Sequence, residues 1–314
     1  MSIVSSDPFR PAAADGELEL LRASRLGIGL MVGAMACFVF NDALVKYASQ
    51  TMPAAQLIFV RGLMAVAWIL LVARASGASI RIGDLGRGRV ALRSTLDALA
   101  TFAYLLSLFR MPIGNAIAIN MASPLFITLL AIVLLRERVG LGQWLAIAAG
   151  FAGVLLLVRP ATDGFNEFAL LCLLGALLHA LRDLVTRGIP QSVASITVTL
   201  STATAVTLLA GGATAVQGWE PFGLFEFGLL AGASVFLAGG YYLMIRSTRT
   251  GNLSAVAPFR YSALLIALAL GWIVWNEAPD PVGWTGIAVL LLAGVYLLRR
   301  PAAIPARPRL GGTA

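Results

Sequence analysis

The sequence predicts an all-α polytopic membrane protein, with ten transmembrane helices arranged as two inverted five-helix repeats. Three observations predict it. Hydrophobic residues make up 59% of the 314-residue chain and charged residues 12%, at a mean hydropathy of +0.87; soluble domains carry about 25% charged residues. Apolar runs of about 20 residues, the length that crosses a bilayer core, recur along the chain. The chain also echoes itself. GAMACFVFNDALVK (33–46) matches GALLHALRDLVTR (175–187), which aligns Asp42 with Asp183 and Lys46 with Arg187. The net charge of +8 is read as loop arginine, not as a nucleic-acid surface.

The elements follow in order. Residues 1–25 hold Asp7, Pro8, Pro11, Asp15, Glu17 and Glu19 and lack a small-residue cleavage site; they read as a cytoplasmic tail, not a signal peptide. Spans are expected at 26–49, 53–74, 90–109, 112–135, 141–158, 166–186, 191–212, 224–246, 252–275 and 281–298. Breaks fall at Met52-Pro53, Gly77, Met111-Pro112, Arg159-Pro160, Ile189-Pro190, Gly211-Gly212, Gly251-Asn252, and Pro279 with Pro281. The first repeat is 26–158, the second 166–298, and 299–314 is a basic cytoplasmic tail.

Basic residues set the orientation. With the N-terminus in the cytoplasm, seventeen bases fall in cytoplasmic segments. Lys46, Arg110 and Arg159 fall on the opposite face, and Arg61, Arg182 and Arg260 lie inside helices. That bias puts both termini in the cytoplasm and requires an even number of spans.

The two halves close alike. RERVGLGQWLAIAAGFAGVLLLVRP (136–160) matches NEAPDPVGWTGIAVLLLAGVYLLRRP (276–301), pairing Glu137 with Glu277 and Trp144 with Trp284 at an offset of 140. Five spans per half is an odd number, so the second half enters from the opposite face. Transporters built this way bind substrate near the midplane, between the repeats. Ala116 with Pro124, LLRERVGLGQW, GFAGVLLL (150–157) and the second copy around Asn276, Glu277 and Trp284 resemble the drug/metabolite transporter superfamily, in its ten-helix EamA-type branch. The resemblance spans residues 26–298; the second copy departs from it at APFRY (257–261), where Pro258 comes early. It implies a secondary carrier for a small organic molecule. Family substrates include amino acids, nucleosides, vitamins such as riboflavin, S-adenosylmethionine and sugar derivatives. NDALVK and ALRDLVTR are most similar to uptake members for S-adenosylmethionine or riboflavin; export of amino acids or drugs is the alternative.

Ionisable side chains inside a bilayer are costly and mark functional candidates. Asp42, Arg61 and Asn120 share a level about 10–12 Å below the outer surface, at 1.5 Å per helical residue. His179, Arg182 and Asp183 in span six, Tyr241 and Tyr242 in span eight, and Arg260 and Tyr261 in span nine lie toward the inner side. Asp42, Arg61, Asn120, Asp183, Arg260 and Tyr261 are the substrate-binding or gating candidates. Asp42–Arg61 and Asp183–Arg260 are expected as ion pairs, either gating the cavity or tying helices together. Asp97, His179 and Asp183 are the proton-coupling candidates. His179 titrates nearest neutral pH and can reach Asp183 one turn on; Asp97 is the most central carboxylate, with Arg93 one turn earlier to neutralise it. Tyr104 reads as an aromatic wall and Phe102 as a packing residue. Lys46 and Arg187 read as snorkelling bases. Glu137 and Glu277 read as helix-end caps paired with arginine, and Trp144 and Trp284 as interface anchors. Gly150 and Gly153 read as close-packing positions, and Cys37 and Cys172 as small buried hydrophobes.

The chain has no G-x-x-x-x-G-K-[ST], so ATP drive within it is excluded. It also lacks H-E-x-x-H and D-D-x-x-D. An enzyme is not expected, nor catalytic residues, cofactor or metal; a membrane-embedded enzyme and a channel are remote alternatives. The expected partners are a small-molecule substrate and membrane lipid, with no nucleic acid, and the expected place is the cytoplasmic (inner) membrane. Monomer and homodimer both stay open.

Overall fold

The computed structural model describes residues 10–77, 80–135, 139–158, 166–186, 188–190, 192–250 and 256–299. The helices are α1 Arg10–Ala48, α2 Ala54–Ala75, the one-turn α3 Ile82–Leu85, α4 Gly88–Leu108, α5 Ile113–Asn120, α6 Ser123–Leu135, α7 Leu141–Val158, α8 Glu167–Thr186, α9 Ser195–Gln217 and α10 Leu224–Thr250. A 3-10 turn, Ala257–Tyr261, leads into α11 Ser262–Trp275, and α12 is Pro281–Arg299. Among the described residues, nine stretches are long and apolar enough to cross a membrane. The tenth is α4, 21 residues long and packed on α8 and α9. Arg89, Arg93 and Asp97 make it too polar to be counted by composition. This is the expected all-α polytopic architecture.

Span four is two helices, α5 and α6, and the local sequence says why. Pro124 has no N–H, so it cannot bond back to the Asn120 carbonyl. The Ser123 hydroxyl donates to that carbonyl instead, at 2.9 Å. Span nine is interrupted in the equivalent place, where Pro258 falls in the 3-10 turn. Span seven corrects the sequence reading. Gly211-Gly212 does not end it, and α9 runs on to Gln217, where Gly218 turns the chain at φ 96°. Gly211 is instead a contact point: a Cβ there would meet the Phe59 ring at 2.9 Å.

The packing has the symmetry of a swap of halves. α1 packs on α10 as α8 packs on α4; α2 on α10 as α9 on α4; α1 on α11 as α8 on α5 and α6. α2 with α9, α5 with α11 and α7 with α12 pair with their own mates. The last contact brings two backbones together. A Cβ on Gly153 would lie 2.8 Å from the Gly286 carbonyl oxygen, and one on Gly286 2.8 Å from that of Gly153. Met31, Leu57, Ile58, Leu105, Ile119, Leu230, Leu264 and Leu290 are fully buried between these helices. Leu208, Leu265, Ile273 and Leu292 stand outward, as side chains facing lipid do. Trp144 and Trp284 are also exposed, at the starts of α7 and α12.

Candidate functional site

α4 and α8 run antiparallel and face each other with polar stripes. On α4 the stripe is Arg93, Asp97 and Tyr104, spaced by four and seven residues and so on one helix face. On α8 it is Cys172, Gly175, His179, Arg182 and Thr186. The two helices can interlock because Gly175 lies against the α4 backbone; a Cβ there would meet the Ala100 carbonyl oxygen at 3.2 Å. Arg93 Nε donates to Thr186 Oγ1 at 3.1 Å, and its Nη1 donates to Thr202 Oγ1 on α9. Ser94 and Ser201, 2.8 Å apart, extend this seam.

Arg182 is the hub of the lower cluster. Its Nη1 donates to Asp97, and its Nη2 and Nε donate to Asp183 Oδ1 at 2.7 and 2.9 Å. His179 Nε2 stands 3.9 Å from the same Asp97 oxygen. His179 Nδ1 lies 3.1 Å from Asn120 Oδ1, an acceptor, so Nδ1 carries the hydrogen of that bond. Asn120 is the last residue of α5, so the break in span four delivers it to this network.

The upper cluster sits two turns away along α4, about 10 Å. The Tyr104 hydroxyl donates to Asp42 Oδ2 at 2.6 Å, and Asn41 Nδ2 donates to Asp42 Oδ1 at 2.9 Å. Arg61 Nη1 donates to Asn41 Oδ1 at 3.2 Å, while its buried Nε has no partner. Tyr241 on α10 joins the clusters. It lies within electrostatic reach of Arg61, Asp97, Arg182 and Arg93, yet its side chain is 43% exposed.

Several expected pairings are rearranged. Asp42 and Arg61 are within electrostatic reach but do not form a direct ion pair among the described residues; Asn41 stands between them. Asp183 pairs with Arg182 on its own helix, not with Arg260, which is exposed at the 3-10 turn. Asp97 is met by Arg182 across the helix interface, while Arg93 turns to hydroxyls. His179 reaches Asn120 and Asp97 instead of Asp183. Tyr261 is buried with its hydroxyl unpartnered against Gly294, apart from both clusters.

Lys46 is not a snorkelling base. It is 6% exposed, and its Nζ donates to both Glu277 oxygens at 2.9 and 3.1 Å and to the Met111 carbonyl at 2.8 Å. Glu277 does cap a helix, but one in the other half, by accepting the Ile113 N–H at 3.1 Å. Its base is Lys46, not an arginine. Glu137 and Arg187 lie outside the described residues. Cys172 is buried and Cys37 partly so, and both are free thiols. The sequence reading places Tyr241 in the inner-side set but not among the binding or coupling candidates, and it does not single out Asn41. The spacing of Arg93, Asp97 and Tyr104 was the available signal for a polar α4 face; nothing in the sequence places Tyr241 opposite it.

Comparison with known proteins identifies the family. The profile of the EamA-like transporter family matches residues 25–159 and again 167–300. A riboflavin transporter of Rhizobium johnstonii is 33% identical over 66% of this chain and 68% of its own. A pseudopaline exporter of Pseudomonas aeruginosa is 26% identical over 90% of this chain and 98% of its own. A S-adenosylmethionine uptake transporter of Rickettsia prowazekii is 26% identical over 60% and 63%. A crystal structure 17% identical superposes over 86% of this chain and 95% of its own with a TM-score of 0.59, a likeness of fold alone. The chain belongs to the EamA-like transporter family: it is a multi-pass membrane transporter of the drug/metabolite type with two copies of the family domain, and not an enzyme.

Proposed function

We propose that the chain is a secondary carrier that moves a small polar organic metabolite across the cytoplasmic membrane by alternating access, with both termini in the cytoplasm. One observation carries the reading. Asp97, His179, Arg182 and Asp183 meet Asn120 at the break in span four, so residues of both halves form one polar network inside an apolar bundle. Broken helices that line a cavity are where such carriers hold substrate. Asp42, Arg61 and Tyr241 bound the same space from the other side. Arg260, exposed at the 3-10 turn, is assigned to the cavity mouth. Tyr261, packed on Gly294, is assigned to the hinge of span nine.

The finer reading is uptake of riboflavin or S-adenosylmethionine, the molecules named for two of the relatives. Export is the second reading, favoured by the pseudopaline exporter, which aligns over 98% of its own length. The test is flux in proteoliposomes. Riboflavin, S-adenosylmethionine and a mixture of amino acids are offered from each face, with and without a pH gradient. Saturable flux of one of them, accelerated by the same compound on the far side, is expected. Flux rising linearly at channel rates, or none with any compound, overturns the carrier reading.

A further inference from the structure

The three aspartates of the site are held in different ways. Asp97 and Asp183 share the Arg182 guanidinium. Arg182 meets each of them at Oδ1, and a fixed positive charge favours the ionised form of its partner, so a proton arriving on either carboxylate weakens an ion pair. His179 shares Asp97 with that same arginine, which is the closer of the two. Asp42 is held otherwise. Its two oxygens each accept one bond from a neutral group, Tyr104 and Asn41. A phenol hydroxyl both donates and accepts. A proton can therefore add to Asp42 Oδ2 and be donated to Tyr104 Oη, while the phenol turns its own hydrogen away. The Asn41 bond to Oδ1 is unchanged.

We propose that Asp42 is the proton-binding carboxylate of the carrier, with Tyr104 as the partner that reverses its hydrogen bond on loading. The charged and titratable groups that reach Asp42 are Tyr104 from α4 and Arg61 from α2. Tyr241 from α10 and Cys172 from α8 act on Arg61 and Tyr104, one step removed. Among the described residues of α11 and the 3-10 turn, no charged group reaches it. Arg61 gives the proton its consequence. Among the described residues, Asp42 is the one carboxylate acting on that buried guanidinium. Loading the proton leaves Arg61 uncompensated, with its Nε already lacking a partner. The cluster then gains one positive charge, which links proton binding to a rearrangement or to an anionic group of the cargo.

The inference rests on the carrier reading for its meaning, but its test needs no substrate. Wild-type protein in lipid bilayers is treated with dicyclohexylcarbodiimide, which adds to protonated carboxyls in apolar surroundings, and the adduct is mapped by peptide mass spectrometry. An adduct on Asp42 that declines as pH rises is expected; an adduct on Asp97 or Asp183 in its place overturns the proposal. Infrared spectra across a pH titration give the second measurement. The protonated-carboxyl stretch is expected to vanish in Asp42→Asn, to persist in Asp97→Asn and Asp183→Asn, and to shift in frequency in Tyr104→Phe. Persistence in Asp42→Asn overturns it. If the flux experiment fails while the Asp42 band is present, the carrier reading falls and the proton site stands.

Discussion

Arg182 and Lys46 show how much of this protein depends on single inward-facing cations. Arg182 serves two carboxylates at once. Arg182→Gln is expected to lower the unfolding midpoint in detergent sharply, because it strands two acids. Adding Asp97→Asn should return part of the loss; strictly additive midpoints would show that the two residues do not act together. Lys46 joins the end of α1 to the start of α5 and the end of α11, and its ammonium lies 5.0 Å from the Trp275 ring. Removing one partner of a buried pair costs about 3–5 kcal/mol. Lys46→Met should therefore be strongly destabilising, and Lys46→Met with Glu277→Gln less so. An unchanged thermal midpoint in Lys46→Met would return Lys46 to the interfacial role its sequence position suggests.

At the scale of elements, span four and the α7–α12 crossing are the sensitive places. Pro124 keeps α5 and α6 apart and frees Asn120 to meet His179. Pro124→Ala restores the missing N–H, so it should raise thermal stability while lowering transport. Both quantities moving in the same direction would show that the break does not serve the site. Gly153 and Gly286 let α7 and α12 touch backbone to backbone. Gly153→Leu is expected to abolish stable folded protein on size-exclusion chromatography. Gly29→Leu is the control, since nothing lies within 4 Å of a Cβ there. α4 carries a related lesson. Its three charges look like a fault in a membrane span until α8 and α9 are packed beside it and take up Asp97 and Arg93.

For the whole molecule, the swap symmetry of the packing fixes which ends lie together. The Gly27 carbonyl accepts the Ser247 hydroxyl at 2.5 Å at one end of α1, and Lys46 meets Glu277 at the other. In a background without Cys37 and Cys172, single cysteines at Gln50 and Trp219 should react with an impermeant thiol reagent on one face of the membrane. One at Gly86 should react only on the opposite face. Labelling of all three from one side would contradict the inverted arrangement. The symmetry of the backbone does not extend to chemistry. The α1–α10 seam is lined by aromatic pairs, Phe38 with Tyr241 and Phe40 with Phe236, while its mate, α4–α8, is a polar zipper. The duplicated scaffold is thus used differently on its two sides.

The membrane class, the duplication and the positions of most spans were legible in the sequence, because each follows from run length, charge bias and an offset repeated along the chain. Asp42, Asp97, His179 and Asp183 were also legible as candidates, since a charge inside an apolar run stands out by its cost. Their partners were not. Arg182 rather than Arg93 meets Asp97, Asn41 stands between Asp42 and Arg61, and Lys46 finds Glu277 across the two halves. Those pairings depend on how helices distant in sequence are rotated and aligned against each other, which is set by contacts such as Gly175 on α4 and Gly153 on Gly286. Sequence periodicity gives each helix a polar face; only the packed tertiary structure decides which other face it meets.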